Sequence, residues 1–318
     1  MTTYNSGKYL KESINSILNQ DYKDFELIIV DDFSEDNTMN IIESINDKRI
    51  KLFKNSKKGR GNALNFGLNV SNSKYIALND SDDISVPFRL STQQNYLKNK
   101  PDNFVVSTNF ACFRNNKLLY EIQNPEHSKD IKKSLAKHCR IMNSGVMYNR
   151  EHILKSGGYE NVLAEDYMLW LKIMNDTEFY NIQNVLMFVR LDENSLSVVN
   201  QKNFKEKNKA VYDIQGKSID YSVESKNSSE KELNILKGWR EYFYGTPQNA
   251  RKYWQKIGFK IFNLKILFAY VLTYFPESFV VKFKSFMLRY RIEYYLKYFS
   301  QKNSTLRKLF KQTLNSVR

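Results

Sequence analysis

Three acidic clusters carry side chains able to do chemistry: Asp31-Asp32, Asp80-Ser81-Asp82-Asp83 and Glu165-Asp166. Asp80 and Asp82 place two carboxylates on one short loop, one residue apart. Hard oxygen ligands of this kind suit Mg²⁺ or Mn²⁺, which bind through one or two carboxylates and keep other positions for phosphate oxygens and water. A calcium EF-hand does not fit, because Ile84 takes the third ligand position, Ser85 replaces the turn glycine and Ser91 stands where the closing Glu belongs. A plain turn is the competing reading, since Asp is common in turns and at helix N-caps. Glu165-Asp166 precedes an apolar helical run of Tyr167, Leu169, Trp170, Leu171 and Ile173. The pair reads either as an acidic helix start favoured by the helix dipole or as a general base that takes a proton from an acceptor hydroxyl.

The elements that must hold these acids alternate. Short β-rich runs at residues 25–30 (FELIIV), 51–53, 75–78 (YIAL) and 104–107 (FVVS) are separated by segments of helical period, such as Tyr9, Leu10, Ile14, Ile17 and Leu18. Such alternation predicts an α/β fold with a mostly parallel sheet flanked by helices, whose ligands bind beyond the carboxyl ends of the strands. Asp31-Asp32 follows LIIV directly, and Asn79 to Asp83 follows YIAL directly, so both clusters fall where that rule puts a site. Asn143-Ser144-Gly145-Val146-Met147 and Gly157-Gly158-Tyr159 supply a strand and a tight turn to hold the Glu165-Asp166 helix against a cleft. Residues 179–189 are apolar again, and residues 222–229 (SVESKNSS) make the best linker. Beyond them, residues 232–244 and 249–262 form a helical hairpin turned at Gly245-Thr246-Pro247.

Charge divides the chain. The 318 residues carry a formal net charge of +15, yet residues 1–200 hold 25 basic and 25 acidic side chains. The excess lies in the tail, where residues 251–318 hold 15 Lys and Arg against Glu277 and Glu293. Cys112 and Cys139 have no paired spacing and the three histidines do not cluster, which argues against structural zinc and a disulfide framework. The opening MTTYNSGKYL lacks the apolar core of a signal peptide, so a reducing cytoplasmic setting is expected.

Five ordered blocks give the chain a family resemblance: Tyr4-Asn5 followed by YLKESINSILNQDYKDFELIIVDDFSEDNT; GRGNALNFGL; YIALNDSDD with Pro87 and Arg89; NSGVMYNREHILKSGGY; and AEDYMLWLKI. Over about two thirds of its length it resembles the family-2 glycosyltransferases of bacterial capsule, O-antigen or lipooligosaccharide synthesis, which have the GT-A nucleotide-diphospho-sugar transferase fold. The resemblance implies a catalytic domain over residues 1–200; composition makes 201–230 a linker region and 231–318 a helical, basic, aromatic-rich, membrane-associating region. It implies a metal-dependent inverting transfer from a nucleotide-diphosphate donor, expected to be a UDP-sugar, to a hydroxyl of a glycan or lipid-linked precursor, with Mn²⁺ or Mg²⁺ as cofactor. Asp166 matches the family's catalytic base. Asp32 looks like the base-recognising acid, with Thr2 and Tyr4 at the pocket floor and Arg60 near the base or diphosphate. Asp80 matches the acid toward the ribose, with Ser81 beside it, and Asp82 matches the metal ligand. Asp192 stands where the family often has a His and is a second candidate at the metal. Asn143, Ser144, Gly145, Glu165 and Trp170 are expected to line the acceptor and sugar pocket. Family members open with an apolar strand ending just before the Tyr-Asn; here the chain begins MTTYN, so a domain short of its first strand is expected. A catalytically inactive, membrane-bound relative serving as a binding or assembly subunit is the alternative reading.

The tail suggests a partner. Residues 239–299 hold 20 of the chain's 45 aromatic side chains, and residues 257–272 (IGFKIFNLKILFAYVL) are almost entirely apolar but carry Lys260 and Lys265. That run is too short to span a bilayer, which needs about 20 apolar residues. It suits an interfacial helix, with Lys260, Lys265, Lys282, Lys284, Arg289 and Arg291 against an anionic membrane surface on the cytoplasmic side; a small helical bundle packed on the catalytic domain, its lysines merely solvated, is the competing reading. Basic charge among aromatics also fits nucleic acid, but that partner leaves the apolar run unexplained and is not expected.

Overall fold

The computed structural model describes residues 1–135, 138–192, 211–213, 229–243, 245–258, 264–275, 279 and 304–318. The linker residues 222–228, together with Lys260, Lys282, Lys284, Arg289 and Arg291, lie outside them.

The α/β fold is present, with the sheet mixed and in two pieces. Strands β1 (Thr2–Thr3), β2 (Leu27–Asp31) and β3 (Ile50–Lys54) run parallel in the order β1-β2-β3. The second piece has the order β4-β8-β6-β9-β5, built from β4 (Tyr75–Ala77), β8 (Met147–Asn149), β6 (Phe104–Arg114), β9 (Glu178–Arg190) and β5 (Ile84–Ser85), with β7 (Lys117–Ile122) also paired to β6. Within it only β6 and β9 are parallel. Helices α1 (Leu10–Leu18), α2 (Thr38–Glu43), α3 (Arg60–Val70), α4 (Arg89–Leu97), α5 (Ser128–Leu135), α6 (Arg150–Lys155) and α7 (Glu165–Ile173) flank the two pieces. Helix α1 forms because Leu10, Ile14 and Ile17 recur at helical spacing, and all three are buried against Leu27, Ile29 and Ile42.

Strand β1 reaches only Val30 and Asp31 of β2. Beside the rest of β2 lies a slot of about 440 Å³ bounded by Met1, Leu27, Ile28, Ala63, Leu64, Tyr75 and Leu78 among others. The Met1 amino group sits at its end and donates to Ile28 O at 2.9 Å. Burial pushes that amine down to about 5.

The tail begins as the helical hairpin expected: α8 (Glu230–Phe243) and α9 (Pro247–Ile257), with Thr246 capping α9 by accepting from Asn249 N and Pro247 in its first turn. Gly238 lets the helices close, because a Cβ there would meet the Trp254 ring at 2.1 Å. Helix α10 (Leu264–Leu272) packs Ile266, Ala269 and Tyr270 on this pair. The last helix, α11 (Ser304–Val317), packs back onto the second sheet piece. Leu306, Phe310, Leu314 and Val317 are buried, with the Phe310 ring 5.2 Å from Phe113 and 4.9 Å from Phe188.

Candidate active site

The first acidic pair divides its work by the strand pleat. Asp31 ends β2, where its carboxylate accepts from the Thr3 hydroxyl at 3.2 Å and from Ser34 N at 3.1 Å, which fixes the turn. Asp32 is buried and faces the next loop, where Asn55 Nδ2 donates to it at 2.8 Å and Gly59 N reaches both carboxylate oxygens at 2.9 Å. Gly59 holds φ +125, and a Cβ there would collide with Asn161, so glycine is required for that approach. Thr3, not Thr2, meets this pair, since its carbonyl also accepts from Asp32 N at 2.8 Å. Thr2 pairs with Val30 and lines the slot, so it is displaced from the pocket floor where the sequence put it. Tyr4 is exposed at the rim, under Lys58 Nζ at 4.9 Å.

The loop after β4 is held from three sides. Ser144 Oγ accepts from Asp80 N at 3.0 Å, and Ser13 of α1 donates to Asp80 O at 2.9 Å. Ser6 Oγ and Ser81 Oγ are 2.7 Å apart. Arg190, at the end of β9, donates to Asp82 O from Nε and to Asp83 Oδ1 from its backbone N, each at 3.0 Å. The loop is thereby fixed, yet the Asp82 and Asp83 carboxyls are raised. Burial, with Asp80 alongside, pushes the Asp82 carboxyl up to about 6, and the buried Asp83 is raised well above the usual range by burial, Asp82 and Asp80.

Arg60 joins this loop to the third cluster. Its Nη2 donates to Asp80 Oδ1 at 2.6 Å and its Nε to Glu165 Oε1 at 2.5 Å. Burial opposes the guanidinium's charge, but Asp80, Glu165 and Asp166 outweigh it and hold it firmly protonated. Burial raises the Glu165 carboxyl, Arg60 opposes the rise and Asp166 adds to it. The geometry places Arg60 between the two acidic clusters, a more specific position than the base or diphosphate edge expected for it. Gly61 brings α3 this close, because a Cβ there would meet Glu160 O at 2.3 Å. Asp166 is half-buried at the start of α7, directly after Ala164, which takes the left-handed φ of 62. Asn5 and Phe33, beside the first pair, are also left-handed non-glycine residues, with φ 48 and 64. Such strain concentrates where a surrounding site over-determines the backbone.

Asn143 to Gly145 form a 3₁₀ turn behind the Asp80 loop. Among the described residues, both polar side-chain atoms of Asn143 are buried with no hydrogen-bond partner, so the turn holds a donor and an acceptor that these residues leave unmatched. Gly145 is packed against Thr108 and Met187, leaving no room for a Cβ. Trp170 departs from expectation. It is wholly buried with its ring edge-on to Tyr148 and Phe179, so it belongs to the core beneath the cleft. One helical turn beyond Asp166, position 170 faces inward. The Asp192 carboxylate accepts from Tyr9 OH at 2.5 Å and Lys8 Nζ at 3.0 Å, which engages it with the start of α1. Sequence reasoning missed Thr3, Asn55, Gly59, Ser13 and Arg190. Only Gly59 left a local signal, in the Gly-Arg-Gly that opens α3.

Comparison with known proteins decides what this arrangement belongs to. Residues 1–158 match the family described as Glycosyl transferase family 2. The Escherichia coli UDP-Glc:alpha-D-GlcNAc-diphosphoundecaprenol beta-1,3-glucosyltransferase WfgD is 31% identical over 223 residues, 69% of this chain and 85% of the relative. The chain belongs to glycosyltransferase family 2. An uncharacterized glycosyltransferase of Methanocaldococcus jannaschii, MJ1057, is 37% identical over 201 residues, 60% of this chain and 69% of that protein. Among solved structures, Staphylococcus aureus TarS 1–349 in complex with UDP-GlcNAc superposes with a TM-score of 0.58 at 18% identity, covering 86% of this chain and 77% of TarS 1–349. The mannosyltransferase PcManGT of Pyrobaculum calidifontis, in complex with GDP-Man and Mn²⁺, gives 0.56 at 14% identity, covering 99% and 83%. These likenesses establish the GT-A fold for the family-2 domain.

Proposed function

We propose that this family-2 glycosyltransferase moves a sugar from a nucleotide-diphosphate donor, a UDP-sugar by preference, to a hydroxyl of a lipid-linked or surface-polysaccharide precursor, inverting the anomeric carbon. The observation that carries the reading is Arg60, which draws the Asp80 loop and the Glu165-Asp166 helix to one cleft.

Asp32, fixed by Asn55 and Gly59, is a rigid acceptor for a nucleobase N–H, with Tyr4 at the rim beside it. Asp80, Ser81 and Asp82 face the ribose and diphosphate, and Arg60 sets the orientation of Asp80. Asp166 takes the proton of the acceptor hydroxyl, whose oxygen attacks the anomeric carbon opposite the departing diphosphate. A single carboxylate base with no nucleophile across the ring suits one displacement. Asn143, Ser144, Gly145 and Glu165 shape the sugar and acceptor pocket.

The acidic loop fits a divalent cation. Among the described residues no cluster of three or more His, Cys, Asp or Glu converges as a closed metal cage. Two carboxylates on one loop, with Asp82 raised by burial and like charge, match a cation that completes its shell with phosphate oxygens and water. Mn²⁺ or Mg²⁺ held by Asp82 would neutralise charge on the leaving diphosphate; Asp192, engaged by Lys8 and Tyr9, is a weaker candidate ligand.

A peripheral attachment to the cytoplasmic face of a membrane is supported by α10 and the residues after it. Leu267, Phe268, Val271, Tyr274 and Phe275 are exposed along one side, with Lys265 near its edge. Among the described residues, no helix is long and apolar enough to cross a membrane. Residues 201–230 then act as linker and 231–303 as the membrane-associating part. A screen of nucleotide sugars for nucleotide release, with and without Mn²⁺, tests the proposal. Release from at least one donor that requires an added acceptor is expected; no release from any donor supports the inactive-subunit alternative.

A further inference from the structure

The path from the last helix to the acidic loop is continuous. The final carbonyls of α11 are capped by side chains of α1: Asn15 Nδ2 donates to Val317 O at 2.8 Å and Asn19 Nδ2 to Ser316 O at 2.7 Å. Capping these otherwise unpaired carbonyls fastens the end of the helix to α1. Arg318 Nε lies 3.5 Å from Glu12 Oε1, and the other Glu12 oxygen accepts from Arg190 Nη2 at 2.6 Å. Arg190 is nearly enclosed, with its guanidinium over the Tyr9 ring at 4.1 Å and the Phe113 ring at 4.5 Å. Phe113 is also one of the two rings on which Phe310 of α11 packs. From that fixed position Arg190 holds the backbone of Asp82 and the carboxylate of Asp83. Helix α1 meets the same loop a second time, through Ser13 to Asp80 O and through Ser16 Oγ, which accepts from Ser85 N at 3.1 Å.

We propose that α11 is a positioning element for the Asp80–Asp82 loop, acting through Glu12 and Arg190, so that the end of the chain sets how well the donor-facing carboxylates are held. Neither α11 nor Glu12 touches the reacting groups. Helix α11 lies beyond the matched family region, which ends at residue 158, and the functional part of the inference rests on the donor site proposed above. Buried charged networks that are fully satisfied fix one geometry, and removing one member frees the others.

The test compares the full chain with Glu12→Ala, Glu12→Gln and a chain ending at residue 302. Its first readout is hydrogen exchange at the amides of Asp80, Asp83 and Ser85, each of which has an acceptor in the structure. Both Glu12→Ala and the shortened chain are expected to exchange there at least fivefold faster. Glu12→Gln, which still accepts from Arg190, should recover most of the protection. With a working donor, KM for the donor should rise about tenfold while KM for the acceptor and kcat stay within twofold. Should the shortened chain fail to fold, Glu12→Ala, which keeps the helix, decides alone. A folded Glu12→Ala protein that exchanges at the parent rate at these amides would overturn the inference. That exchange readout needs no substrate, so it separates this failure from a failure of the transferase reading.

Discussion

Arg60 lies between two carboxylates that would otherwise repel each other across the cleft. Arg60→Ala would leave Glu165 buried without its cation. Because the guanidinium keeps partial solvent access, the expected loss is about 1–3 kcal/mol in urea unfolding, below the cost of breaking a fully buried pair. Arg60→Lys should recover little of it, since one ammonium cannot serve both acids in the same planar geometry. Asp82 predicts the opposite sign. Its folded carboxyl sits at about 6 against an ordinary 3.8, so its ionisation opposes folding: the cost is absent below about 3.8, grows as pH rises and is complete above about 6. Asp82→Asn should therefore raise the Tm of the metal-free protein at pH 7, leave it unchanged near pH 3.5, and abolish transfer. At this scale the acids were legible in the sequence because each follows an element boundary. Their partners were not: Thr3, Asn55, Ser13 and Arg190 are ordinary polar residues that acquire a role only once the chain is folded around them.

Strands β2, β3, β4 and the start of β6 were legible from β-rich runs bounded by turns, and the α8–α9 hairpin from Gly245-Thr246-Pro247. Strand β9 was visible only as an apolar run, because both its faces are largely covered and alternation is lost. The docking of α11 follows the competing reading of the tail as helices packed on the domain; its charge favours the membrane reading, since Arg307, Lys308 and Lys311 share the helix with the buried Leu306, Phe310 and Leu314. The sequence reading expected no first strand; a two-residue β1 pairs with β2, and the slot beside the rest of β2 was not expected. An extended apolar segment of five or six residues joined ahead of Met1 should enter that slot, pair with β2 and β4, and raise Tm by several degrees. It would also remove a pH dependence. The buried amine, at about 5 when folded and 8.0 in its ordinary state, weakens the fold as pH falls from about 8 to about 5, and an amide in its place does not titrate.

Across the whole molecule, charge and chemistry separate. Residues 1–200 are balanced and keep their acids for the cleft, while the basic excess lies in the tail. The described part of that tail exposes Leu267, Phe268, Val271 and Phe275, large apolar side chains at helical spacing, and exposed apolar groups on one face mark an interaction site. The protein should co-sediment with vesicles containing 30% anionic lipid at low salt. Phe268→Ser with Val271→Ser should lower that affinity at least fivefold with no change in Tm beyond about 2 °C, because both side chains are exposed. Binding that is indifferent to this pair would move the membrane surface elsewhere.

In the proposed reaction Asp166 removes the acceptor proton in a cleft whose donor side is built by Asp32, Asp80 and Asp82. Asp166→Asn, measured for both transfer and nucleotide affinity, tests this. Transfer should fall by at least a thousandfold, with the Kd for the nucleoside diphosphate, measured by calorimetry with Mn²⁺ present, within threefold of the parent. Retained transfer, or loss of nucleotide affinity in parallel with transfer, would contradict it.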